Sequence, residues 1–239
     1  MKKTLIALMA MAGAAFGADY TTETIWTAQF SNTYKNADGS VKGYTTDLTS
    51  PGKFWDASDV ATANGAQTRS NKRIHMKGGT YGDWGSDFEL SITLTLTGNS
   101  ITAGHISELK ADSTGDWLCM GVNGNGALTL SGKNGEFTAG TATGTVTVGT
   151  VYTLTFVKLG NEVTLSAGDA SVTATLSGFT GTIDNIALGG NTGEGNRVPV
   201  LVSGMVMSSV TPAPAVPEPT TATLSLLALA GLAARRRRK

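Results

Sequence analysis

The sequence has a single cysteine, Cys119, so no internal disulfide can form and stability must come from packing and hydrogen bonding. It has two histidines, His75 and His105. Two imidazoles and one thiol do not make a zinc site of familiar spacing. A Cys/His dyad is conceivable. Cys119 sits within Trp117-Leu118-Cys119-Met120, however, where a small buried apolar residue is the ordinary interpretation. No internal repeat is visible at the period of roughly 20–50 residues that marks propellers and solenoids. The Gly-rich runs Gly121–Gly126 and Gly189–Gly195 are followed by no helical pattern, so the dinucleotide fingerprint fails its context test and both read as turns.

Net charge is also lacking, but only on paper. The chain has 18 cationic and 18 acidic residues. Seven of those cations, Lys2, Lys3, Arg235, Arg236, Arg237, Arg238 and Lys239, lie at the two ends. What lies between those ends, residues 4–234, therefore holds 11 cations against 18 acids, a net of −7. An acidic body repels phosphate backbones, which makes nucleic acid a poor partner. It is compatible with bound calcium and with neutral sugars.

What is present is strand pattern. Phe88 to Thr97 alternates apolar and polar residues without an error, so one face packs on a core and the other meets water. Tyr152, Leu154 and Phe156 repeat the pattern. Gly160-Asn161 then turns the chain into Val163, Leu165 and Ala167, and Gly168-Asp169 turns it into Val172, Ala174 and Leu176. These three runs predict a meander with short hairpins. Further strands are expected at Ile25–Phe30, Arg73–Lys77, Leu118–Asn123, Ala127–Leu130, Thr145–Val148, Asp184–Leu188 and Val200–Met207. About ten strands separated by Gly/Asn/Asp turns, with 31 glycines in the chain, predict an all-β domain of two packed antiparallel sheets. Tyr34–Gly65 is the least regular stretch and reads as a long connection.

Both ends read as addresses. Lys2-Lys3 and the apolar run Thr4 to Phe16 form a signal-peptide pattern, with small residues in Ala15-Phe16-Gly17 favouring cleavage before Ala18. This predicts passage through the Sec translocon and cutting by signal peptidase. At the other end Pro212, Pro214, Pro217 and Pro219 form a stiff spacer. The apolar segment Thr220–Ala234 follows, and then Arg235–Lys239. As a helix the apolar segment would span about 22 Å, short of a hydrocarbon core of about 30 Å. The terminal cations should stay cytoplasmic. An ordinary single-span anchor predicts the same orientation with a longer apolar run. The expected organisation is thus a signal peptide (1–17), a sandwich (18–211), a proline-rich linker (212–219) and a hydrophobic tail (220–239).

Pro217-Glu218-Pro219, the apolar run and Arg235, Arg236, Arg237 and Arg238 together resemble the PEP-CTERM sorting signal of Gram-negative bacteria. The resemblance implies processing by an exosortase near Pro217-Glu218-Pro219 and delivery to the cell surface. The body resembles the concanavalin A-like lectin/glucanase superfamily, in its laminin-G-like jelly-roll form. The likeness runs from the Phe88 strand through Val148–Phe156 to Gly181–Gly190 and Val200–Met207. Tyr152 stands where a tryptophan is usual in those domains.

Glucanases of that superfamily place paired carboxylates on one strand face, as period two allows at i and i+2. The nearest analogue is Asp83 with Asp87 and Glu89, but the expected acidic triple is absent, and Asp184 is alone in its strand. A non-catalytic binding protein is therefore the first expectation, with a glycan-active hydrolase as the alternative. For glycan binding, Tyr81-Gly82-Asp83-Trp84 and Gly115-Asp116-Trp117 each set a carboxylate beside an indole in a Gly-rich loop. Asn191, Glu194 and Asn196 lie in the loop before the last strand. Trp84 and Trp117 can equally cap a core edge while the acids are solvated. No cofactor is expected beyond calcium, which orders such loops in some jelly-roll lectins.

Overall fold

The computed structural model describes residues 20–29, 53–55, 61–62, 65–67, 74–101, 103–132, 137–189 and 198–213. These carry fifteen strands: β1 (Tyr20–Gln29), β2 (Lys53–Trp55), β3 (Ala61–Thr62), β4 (Gly65–Gln67), β5 (Ile74–Asp83), β6 (Phe88–Leu96), β7 (Gly104–Ala111), β8 (Asp116–Val122), β9 (Leu128–Gly132), β10 (Phe137–Ala139), β11 (Val151–Leu159), β12 (Glu162–Ala167), β13 (Ala170–Leu176), β14 (Thr182–Leu188) and β15 (Val200–Pro212). They form two antiparallel sheets packed as a sandwich. One has nine strands in the order β10-β13-β12-β11-β6-β15-β4-β3, with β1 also beside β15; the other has six, in the order β2-β5-β14-β7-β8-β9.

The alternation read in the sequence is what fills the space between the sheets. Phe88, Leu90, Ile92, Leu94 and Leu96 of β6 are all buried, and the residues between them are half-exposed. Leu154 and Phe156, then Val163 and Leu165, then Val172 and Ala174 continue this inner face. Leu109, Leu118, Met120, Ile186 and Leu188 answer from the six-stranded sheet. The meander β11-β12-β13 turns where expected. Gly160 and Gly168 sit at φ 55° and 58°, the left-handed conformation that tight hairpins demand and that a side chain resists.

Several expectations need correction. Thr145–Val148 forms no strand. Thr143 makes a single bridge to Ser171, and the Val146 N–H goes to the Gly126 carbonyl in a turn of the other sheet. The segment crosses between sheets, and its alternating pattern serves to bury Val146 and to lay Val148 against the core. β7 and β10 have no counterpart in the sequence reading. In β7 a register shift between His105 and Ser107 breaks the period of two. β5 runs through Tyr81-Gly82-Asp83, which reads as loop in the sequence, and β15 continues past Met207 to Pro212. β2, β3 and the start of β4 lie within Tyr34–Gly65, the rest of which is outside the described residues. The signal peptide, most of the linker and the hydrophobic tail are also outside them.

One residue pins the two sheets together. Trp26 of β1 is fully buried, and its indole N–H donates to the Tyr81 carbonyl at 3.0 Å. The Trp26 and Tyr81 rings meet edge to face, with centroids 5.9 Å apart. The Tyr81 hydroxyl has no hydrogen-bond partner. Burial, and then the negative charge of Asp184, push this phenol from 10.0 to about 12. Above pH 10.0 the unfolded chain sheds that proton while the folded chain keeps it, so stability falls as pH rises toward about 12. Tyr81→Phe should flatten the alkaline fall in stability, measured by urea unfolding at pH 9 to 12; an unchanged slope would refute this.

Candidate functional site

The end of the sandwich where β5 meets β6 and β7 meets β8 is acidic. Asp83, Asp87, Asp112, Asp116 and Asp184 all gather here. Their carboxylates tie down the turns. Asp83 Oδ1 accepts the Gly85 N–H at 2.7 Å, and Asp87 Oδ1 accepts the Gly160 N–H at 2.7 Å. Asp184 Oδ1 accepts the Asp112 N–H at 2.9 Å. Asp116 Oδ2 accepts the Thr180 N–H at 3.0 Å, which joins the start of β8 to the loop before β14. Each bond satisfies an amide that a tight turn leaves without a strand partner.

Lys158 completes this end. It shares the inward side of β11 with Phe156 and is only 5% exposed. Its ammonium donates to the Ser86 carbonyl at 3.1 Å and lies 3.8 Å from Asp87 Oδ1. Burial lowers its pKa, with Asp87 and then Asp83 opposing that shift. Glu89 is engaged elsewhere: it accepts the Tyr20 hydroxyl at 3.2 Å and the Ser91 hydroxyl at 3.1 Å on the outer face of the nine-stranded sheet. Asp83, Asp87 and Glu89 are thus held by three different elements. Among the described residues no group of three His, Cys, Asp or Glu side chains is placed to hold a metal ion.

The two indoles read from the sequence part company. Trp84 is 1% exposed. Its ring packs edge-on against Phe179 with centroids 5.2 Å apart, and tilted against Phe88 at 5.8 Å. It presents no face to a ligand. Trp117 is half-buried and lies on the outward side of β8, opposite in sense to Leu118 and Met120. Directly across from it stands Lys110 on β7, and across from Lys110 stands Asn185 on β14. Cross-strand neighbours of this kind hold their Cβ atoms about 5 Å apart. The three side chains form one row of indole, ammonium and amide.

The row becomes more enclosed toward its centre. Asn185 is 7% exposed and its Oδ1 accepts no hydrogen bond, an omission that costs about 1–3 kcal/mol in a buried group. Lys110 is paired with Asp112 at 2.6 Å, and this contact raises its pKa. The adjoining row holds Ala187, Glu108 and Cys119, all buried. Burial, and then the charge of Glu108, push the Cys119 thiol up. The thiolate that a nucleophile needs is disfavoured. His105, two pleats further along, has a buried Nδ1 without a partner and a pKa lowered by burial.

Lys110 and Asn185 were not legible as site residues. Nothing in a single sequence says that positions 75 apart in number share a row; only the register supplies that. Asn191, Glu194 and Asn196 lie outside the described residues, as do Pro217, Glu218, Pro219 and Arg235 to Arg238.

The class defined so far is an all-β antiparallel sandwich. Residues 215–239 match the family model described as the PEP-CTERM protein-sorting motif. The chain therefore carries a sorting signal that indicates export to the cell surface. No curated protein matches the chain. Among solved structures, it is similar to a mutant of Trypanosoma rangeli sialidase displaying trans-sialidase activity, with 13% identity over 77% of this chain and 30% of that one, at TM-score 0.51. Domain 4 of AbnA, a GH43 extracellular arabinanase from Geobacillus stearothermophilus solved with arabinotriose, aligns at 15% identity over 79% and 93% of the chains, at TM-score 0.48. The carbohydrate-binding module CBM66 from Bacillus subtilis aligns at 14% identity over 67% and 94%, at TM-score 0.38. The chain spans about 30% of the length of the sialidases it matches. At these identities the likeness is one of fold alone.

Proposed function

We propose that this is a non-catalytic, exported surface protein whose sandwich, of the concanavalin A-like and laminin-G-like kind, contacts neutral glycan. Residues 1–17 act as its signal peptide. The segment 220–234 anchors the chain in the inner membrane until an exosortase processes the tail near Pro217-Glu218-Pro219. The observation that carries the binding reading is the row Trp117, Lys110, Asn185 on the outward face of the six-stranded sheet. An indole face stacks on sugar C–H groups, and the half-buried Lys110 ammonium beside it has donors for sugar hydroxyls. The net charge of −7 over residues 4–234 disfavours uronic and sulfated polymers. The non-catalytic reading is supported by the carboxylates of the acidic end: Asp83, Asp87, Asp116 and Asp184 each accept a backbone amide, and Asp112 is paired with Lys110.

The test is a glycan array and a polysaccharide pull-down with the folded protein. Wild type should retain a neutral glycan, and Trp117→Ala should weaken that binding at least tenfold with its thermal midpoint unchanged. Retention by Trp117→Ala at wild-type strength would remove the row from the reading. Release of reducing sugar from the bound glycan would replace the binding protein with a hydrolase. For the tail, the intact mass of the protein from its own host should correspond to a chain ending near Glu218; a mass that includes Arg235–Lys239 would mean a permanent anchor.

A further inference from the structure

The first and last described strands are hydrogen-bonded neighbours. β1 and β15 run antiparallel with Tyr20 opposite Pro212 and Thr21 opposite Thr211. Both ends of the sandwich polypeptide therefore leave it at one place. That place is the acidic end, because the Val210 N–H donates to the Asp87 carbonyl at 3.2 Å. The turn bearing Asp112 lies at the same end, since Lys110 pairs with Asn185 near the start of β14 while Asp83 pairs with Thr182. The turn at Asn123–Ala127, closed by the Gly126 N–H on the Asn123 carbonyl, lies at the other end of β8.

Seven residues lie between Pro212 and Thr220, where the apolar segment begins, a connection that cannot exceed about 29 Å even when fully extended. Strands such as β6, nine residues long, separate the two ends of the sandwich by about 30 Å. Even fully extended, the tether is no longer than the body it holds, so the end it leaves from remains the end nearer the membrane. We infer that the end carrying Asp83, Asp87, Asp112, Asp116 and Asp184 is the face turned toward the membrane and the processing enzyme while the tail is attached. This rests on reading the tail as a membrane-held sorting signal. The turns at Asn123–Ala127 and Gly168-Asp169 then point away from the lipid. The carboxylates oppose contact with anionic headgroups over a screening distance of about 8 Å, and a spacer rich in proline favours an extended chain that keeps the two apart.

The test uses the full chain in phosphatidylcholine vesicles containing phosphatidylglycerol and an energy acceptor on the headgroups. A donor dye is placed at Ser113→Cys or at Asn125→Cys, both exposed turn positions at opposite ends; the native Cys119 is buried and does not compete for label. With 30 Å between the sites, transfer from position 113 should exceed transfer from position 125 several-fold. Equal or reversed transfer from protein that floats with the vesicles overturns the orientation and leaves the tail reading intact. Failure to float overturns the tail reading and the orientation with it. A four-residue insertion after Ala215 gives a second readout: it should narrow the difference between the two labels, and an unchanged difference would show that the tether does not set the orientation.

Discussion

Trp84→Ala is expected to cost the sandwich about 3–5 kcal/mol, the range for deleting a large ring from a filled core. In a domain of this size that lowers the thermal midpoint by about 10 °C. The indole is 1% exposed and wedged between Phe88 and Phe179. Its removal leaves a hole at the point where β5 crosses from one sheet to the other through β6. Trp84→Phe should recover most of the loss. It keeps a ring against both neighbours and deletes an indole N–H that has no acceptor. Trp117→Ala should cost less than about 1 kcal/mol, because that ring is half-buried on an outward face. Calorimetry on the three variants decides the matter. Equal losses for Trp84→Ala and Trp117→Ala would contradict the assignment of one indole to the core and the other to the surface.

The second large effect concerns Lys158 and Asp87. Asp87→Ala should destabilise by about 3 kcal/mol, because it strips a carboxylate from a buried ammonium and an acceptor from the Gly160 amide at once. Lys158→Met should be close to neutral, within about 1 kcal/mol. The thioether fills the channel beside Phe156, and the desolvation of a charge disappears. The double variant should be milder than the sum of the two, since the cost of Asp87→Ala falls mostly on a lysine no longer there. The pH dependence gives an independent check. The Lys158 pKa is lower folded than unfolded, so the folded chain releases the proton first. Its contribution to stability therefore rises as pH climbs toward 10.5. Lys158→Met should abolish that rise, and urea titrations between pH 7 and 10.5 would show it. A strongly destabilised Lys158→Met would mean that the ion pair contributes net stability.

How far the sequence spoke for itself depended on whether a signal was local. β6 could be read residue by residue, since its period of two is unbroken from Phe88 to Leu96. The β11-β12-β13 meander was legible because Gly160 and Gly168 mark its turns. β7 was not legible, because a bulge at Ile106 puts two neighbouring residues on the buried side and erases the alternation. Tyr81-Gly82-Asp83-Trp84 misled for a different reason. Its glycine and polar residues have the composition of a loop. Gly82 lies inside β5, where an added Cβ would make only ordinary contact with Met207 and Ile183, and Trp84 ends in the core. Composition cannot separate a glycine that makes a turn from one carried within a strand. The row proposed to meet glycan was half visible. Trp117 stood out as an aromatic residue beside a carboxylate, but its true companions, Lys110 and Asn185, come from strands joined only by register.

β15 is the last of the described strands, yet it lies inside its sheet, with β6 on one flank and β1 and β4 on the other. A polypeptide threaded outward from its amino end thus emerges with its central seat vacant. Until residues 200–212 arrive, β6 shows a bare hydrogen-bonding rim and β1 has nothing to zip against. Long-range closure of this sort is slow, and open rims recruit the wrong partners in the meantime. Secretion of this protein should accordingly lean on a periplasmic holding chaperone, and a host stripped of such chaperones should accumulate it as insoluble aggregate.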